Sequence, residues 1–180
     1  LTCKDPNSYV TTNEPNHHLW FPYIENLGGG YVGLGAGAYL GARGYNTGTR
    51  VLELVDAALV NRPGWKIRGE GEVTLAPAAG QPMGELPASL WFSKGPLFAQ
   101  ARGKGRVPYT PVASFVTDLN ETHKRQKGVM PGTDAIVCAK FGQGRAALFS
   151  VLLHHSEAGV AFLPKAIRWA AGEGEALSTA

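Results

Sequence analysis

The chain has 180 residues, of which 44% are hydrophobic and 17% charged, with a formal net charge of +3. That is enough for one domain, spanning 1–180, with a sizeable core and the composition of an ordinary soluble protein. So weak a charge balance gives no reason to expect nucleic acid or a membrane as a partner, and no apolar run approaches the length needed to span a bilayer.

Residues 1–22 are polar and turn-rich, with Pro6, Asn7, Asn13, Pro15, Asn16 and Pro22, and read as a loop-rich N-terminal segment with a short helix near His18–Asn26. No signal peptide is visible, yet the chain begins at Leu1 rather than Met. A processed, trimmed or fragmentary chain is therefore expected, either cytoplasmic or secreted after processing. The run Gly28–Leu34 reads as a short buried strand, leading into small residues at 35–42 that let a helix pack closely on a sheet. Beyond the glycine-rich loop 44–48, Arg50–Val55 and Glu72–Ala76 read as strands, with a turn at Gly69–Gly71. Pro77–Leu86 is a surface loop, Ser89–Ser93 a strand broken by Gly95-Pro96, and Val112–Thr117 a further strand. Thr133–Ala139 and Arg145–Leu153 are apolar runs separated by Lys140-Phe141-Gly142-Gln143-Gly144, which predicts a hairpin. From Gly159 to Ala171, Val160, Leu163, Ile167 and Ala171 recur at helical spacing, with Trp169 flanking that face. Residues 173–180 read as a tail.

Several side chains could carry chemistry. A sharp strand-to-helix turn at Leu34-Gly35-Ala36-Gly37-Ala38-Tyr39 would project one side chain over the sheet edge, with backbone N–H groups of the following helix free to hold an oxyanion. Enzymes place Ser or Cys at such a point, whereas Gly35 has no side chain. A glycine-rich packing corner and a phosphate-cradling loop are the other readings. Gly28, Gly30 and Gly33 match G-x-G-x-x-G spacing but lie before and within the strand, the wrong context for a dinucleotide fingerprint. His155, just past a long apolar strand and two residues before Glu157, reads either as an oriented general base or as a loop histidine beside a surface acid. His154 alternates with it in strand geometry, so the two are expected on opposite sides. His17-His18 lacks a third ligand, and no metal or cofactor is expected. Cys138 sits in an apolar run as a small hydrophobe; a disulfide with Cys3 and two free thiols both stay open. The basic runs 102–106 and 123–127 read as solvated loops. Asn120-Glu121-Thr122 is a glycosylation triplet, meaningful only in a secreted protein.

Taken in order, these segments resemble the class I glutamine amidotransferase-like family. Gly28 to Tyr39 resembles its nucleophile elbow, most nearly in the branch named for the biotin-protein ligase N-terminal domain, where the pattern is Gly-Gly-x-Tyr-x-Gly-(Ile/Leu)-Cys-Ala-Gly-Ala-Tyr. Lys94-Gly95-Pro96-Leu97, Val129-Met130-Pro131-Gly132-Thr133, Gly142-Gln143-Gly144-Arg145 and His155-Ser156-Glu157 extend the resemblance from about Glu14 to Trp169. It implies an α/β, three-layer, flavodoxin-like fold with a partly parallel sheet. In the family Cys attacks an amide, His activates it and Glu orients His. His155 and Glu157 match the supporting pair, while Gly35 stands where the nucleophile would be. Only 34 residues precede Gly35 and a βαβ unit needs roughly 30, so the N-terminal side of the sheet is expected to be incomplete. The resemblance thus implies a non-catalytic binding or regulatory domain. Ala36, Gly37 and Tyr39 would line a small-molecule site at the elbow, and a homo-oligomer or partner chain would meet the N-terminal side. The alternatives are an amide hydrolase or amidotransferase whose nucleophile or N-terminal half is supplied elsewhere, and a structural subunit of a larger assembly.

Overall fold

The computed structural model describes residues 17–43, 52–60, 69–102, 108–120 and 127–173. The N-terminal segment up to residue 16 with Cys3, the side chains of His17 and His18, the glycine-rich loop 44–48, most of both basic runs and the tail beyond 173 lie outside them.

The fold is α/β. Helix α1 (His17–Leu27) leads into β1 (Gly30–Leu34) and the short helix α2 (Ala36–Gly41). Strands β2 (Ala57–Leu59), β3 (Glu70–Pro77), β4 (Ser89–Ser93), β5 (Phe98–Gln100) and β6 (Thr110–Phe115) follow. The chain then forms β7 (Asp134–Phe141), β8 (Gly144–Phe149) and β9 (Val151–Leu152), a 3₁₀ turn at Leu153–His155, and α3 (Glu157–Ala170). The main sheet path runs β1-β8-β7-β6-β3-β4-β9, with β5 bridging β2 and β7. Only β1 and β8 pair in parallel among the described strands; the sheet is mixed but mostly antiparallel. Because β9 continues β8 after one residue and pairs with β4 at the far end of the path, the sheet curls back on itself and is nearly barrel-shaped.

The β7–β8 hairpin is the spine. Its turn is Gly142-Gln143, with Phe141 opposite Gly144. Both strands are buried on two faces, which explains their nearly continuous apolar sequence. Val137, Ala146 and Leu148 belong to one cluster, with Ile24 of α1 and Ala38 of α2. Ile136, Cys138, Ala147 and Phe149 belong to the other, with Phe162, Ala166 and Trp169 of α3.

Several local readings of the sequence need correction. In 50–55, residues 52–54 are not strand and Val55 makes a single parallel bridge to Ala42. Glu53 has φ +49, which an extended strand cannot hold, and the ladder begins at Ala57 instead. Gly71 lies inside β3, paired with Phe92, rather than in a turn. Strand β6 ends at Phe115, so Val116 and Thr117 fall beyond it. Helix α3 starts at Glu157, where Ser156 caps it by accepting from the Gly159 N–H at 3.1 Å. The inward face of α3 is Gly159, Phe162, Ala166, Trp169 and Ala170, while Val160 and Ile167 are 53% and 50% exposed. Trp169 is therefore core rather than flank, because the larger rings outcompete the aliphatic stripe for the sheet. His154 and His155 share a 3₁₀ turn rather than a strand, which puts their rings 4.4 Å apart and not on opposite sides.

No described helix is long and apolar enough to cross a membrane. Asn120 is 3% exposed with its side-chain nitrogen shielded, so the folded chain does not present it for glycosylation.

Cys138 is fully buried, and burial pushes its thiol up to about 12, with the Arg145 charge only partly opposing this. The thiolate is the reactive form. Thiol reagent at neutral pH is therefore expected to leave Cys138 unmodified until the chain unfolds, read by peptide mapping with mass spectrometry. Rapid labelling of Cys138 in the folded protein would contradict this.

Candidate functional site at the β1–α2 corner

The corner forms because β1 is held by β8 up to its last residue. The Gly35 N–H donates to the Phe149 carbonyl at 2.9 Å, and the Gly35 carbonyl accepts from the Ala38 N–H at 3.1 Å. Gly35 thus ends the strand and starts the helix, at φ +53 and ψ −107. That combination is open to glycine and strained for any residue with a Cβ. A Cβ built there would also lie 2.9 Å from Leu152 Cδ2. The space that an elbow side chain would enter is occupied by Leu152 of β9.

The other residues around the corner are tied to one another. Ala36 and Tyr39 are buried. The Tyr31 hydroxyl donates to the Gly37 carbonyl at 2.8 Å, and the Tyr39 hydroxyl donates to the Gly95 carbonyl at 3.1 Å. Gly95 belongs to the turn between β4 and β5, where Lys94 has φ +54. This turn sits against the link between β8 and β9: Ser150 is fully buried and its hydroxyl donates to the Pro96 carbonyl. Lys94-Gly95-Pro96-Leu97, one motif of an ordered series in the sequence, is thus joined through Gly95 to Tyr39 of α2 and through Pro96 to Ser150. The signals that could have found this junction are Gly95 and Ser150, both small residues between apolar strands.

His155 and Glu157 lie just beyond Leu152 in the chain, and both are exposed. The His155 ring stacks on Trp91 at 5.9 Å with the planes 9° apart. Trp91 is placed there by its pairing with Leu152. Neither an ion pair nor a hydrogen bond joins His155 to Glu157 among the described residues; Glu157 instead occupies the first turn of α3, where a negative charge is favourable. Partial burial, and then the neighbouring His155, lower the pKa of His154 below the ordinary histidine value. Trp91, His155 and His154 thus form a run of ring contacts at this end of β4. No three His, Cys, Asp or Glu groups among the described residues cluster as a metal ion would need.

The family described as "Domain of unknown function (DUF7790)" matches residues 9–41. The described part of that match contains α1, β1, the Gly35 corner and α2. No curated protein matches the chain.

Proposed function

We propose that the chain is a non-catalytic, amidotransferase-like binding or regulatory domain. The observation that carries this reading is Gly35: an elbow-like backbone at φ +53, ψ −107, without a nucleophile and with Leu152 in the nucleophile's space. Covalent amide chemistry needs a thiol or hydroxyl next to a base. On this reading, β1 and β8 with α1 and α2 on one side and α3 on the other are a three-layer, flavodoxin-like portion of the fold, incomplete on its N-terminal side. The parallel β1–β8 ladder and the two separate core clusters support it. Ala36, Gly37 and Tyr39 then shape the floor of the ligand site, and the stack of half-buried Trp91 on exposed His155 supplies a flat surface for a planar or cationic group.

Glutamine supplied to the purified chain is expected to release no ammonia above the buffer baseline. Steady release that disappears in His155→Ala would overturn the reading.

A further inference from the structure

The outer edge of β1, which no strand among the described residues pairs, and one flank of α3 lie on the same side, and we infer that together they form a two-fold interface with a second copy of this chain. This inference is independent of the function proposed above.

The first observation is the edge itself. The Arg145 N–H donates to Gly29 and the Gly35 N–H to Phe149, so the odd-numbered positions of β1 turn their backbone toward β8. Gly30, Val32 and Leu34 therefore point their N–H and C=O groups the other way, where no described strand pairs with them. Proteins protect such edges with proline, charge or a bulge. Gly30-Tyr31-Val32-Gly33-Leu34 has no proline and no charge, and its register with β8 is unbroken.

The second observation is the stripe on α3. Arg145 of β8 donates to the Trp169 carbonyl at 3.1 Å, whereas Ala170 lies against Gly30 of β1. The step from Trp169 to Ala170 thus moves around the helix from above β8 to above β1. Roughly the next quarter turn in the same sense carries Leu163, Ile167 and Val160. On the opposite flank, Lys165 reaches toward the Glu85 carbonyl, in the β3–β4 loop, at 3.5 Å. The apolar flank therefore faces the β1 edge, and Val160 and Ile167 are half exposed there.

The occupant follows from the symmetry of the two features. An antiparallel copy of β1 centred on Val32 sets Gly30 opposite Leu34 and Val32 opposite itself. All three outward positions then exchange hydrogen bonds. The same two-fold axis, perpendicular to the sheet, sets α3 antiparallel beside its counterpart and brings the Leu163 and Ile167 flanks together. One operation satisfies the unpaired backbone and covers the apolar stripe, as an isologous interface requires.

Size-exclusion chromatography with light scattering is expected to give twice the chain mass of 19.1 kDa. The double variant Val160→Glu, Ile167→Glu should fall to the single-chain mass with its circular dichroism unchanged, because both side chains are already half exposed in one copy. Should that variant unfold, Val160→Lys alone carries the same test. Hydrogen exchange at the Val32 amide should be slow in the wild type and fast in the variant. A wild-type chain of single mass at every soluble concentration would overturn the inference, whether the edge is then bare or covered by another segment or protein. So would a dimer that survives the substitutions, or one whose Val32 amide exchanges freely.

Discussion

Gly95→Ala is expected to be strongly damaging, lowering stability by about 2–6 kcal/mol. The added Cβ would lie inside the backbone carbonyl of Ser150, with the Ser150 carbonyl carbon at 2.8 Å and its Cα at 2.9 Å. None of these atoms is the end of a flexible side chain. The β4–β5 turn must therefore move away from the β8–β9 link. Overpacking of this kind costs about 1–3 kcal/mol. The movement also strains two buried hydrogen bonds, Ser150 to Pro96 and Tyr39 to Gly95, each contributing about 0.5–1.5 kcal/mol. For a chain of this length roughly 2–4 °C is lost per kcal/mol, so thermal unfolding should begin at a clearly lower temperature, or the variant should fail to fold. A melting temperature equal to wild type would mean that the turn is not seated against Ser150.

Gly35→Cys is expected to destabilise as well, through backbone strain more than through contact. Holding a residue with a Cβ at φ +53 costs on the order of 1–3 kcal/mol. Replacing glycine reduces the entropy of the unfolded chain and returns only about 0.4–1 kcal/mol. Strain wins, and the contact with Leu152 at 2.9 Å adds to it. Leu152 can rotate aside, so the steric part should be smaller than at Gly95. The variant should thus fold with a lowered melting temperature, measured by calorimetry. A Cys variant as stable as wild type would contradict the strain argument.

Much of this architecture was legible where sequence and burial run in step. The β7–β8 hairpin declared itself through two apolar runs around Gly142-Gln143, because both faces of both strands are buried. The Gly35 corner was legible because small residues follow an apolar strand at a fixed place. Helix α3 was found, but with the wrong face inward. Val160, Leu163 and Ile167 have helical spacing, and spacing cannot tell a core stripe from an outward one when Phe162, Ala166 and Trp169 make a second stripe on the same helix. The curl of the sheet was not legible, since it depends on β9, two residues long, pairing with β4. The Trp91–His155 stack was hidden for the same reason: its partners are 64 positions apart and meet only through that pairing.

On the proposed reading, the β1–α2 corner keeps an elbow-like backbone at Gly35, φ +53 and ψ −107, where the nucleophile would stand. Chemical denaturation of Gly35→Ala beside Gly37→Ala tests it most directly. Gly37 lies inside α2, where an added Cβ meets only the Tyr31 hydroxyl at 3.6 Å. Alanine there should stabilise by about 0.5–1 kcal/mol through helix propensity, while alanine two residues earlier should destabilise by about 1–3 kcal/mol. Opposite signs are the predicted result. A Gly35→Ala protein at least as stable as Gly37→Ala would show that the corner is an ordinary packing turn.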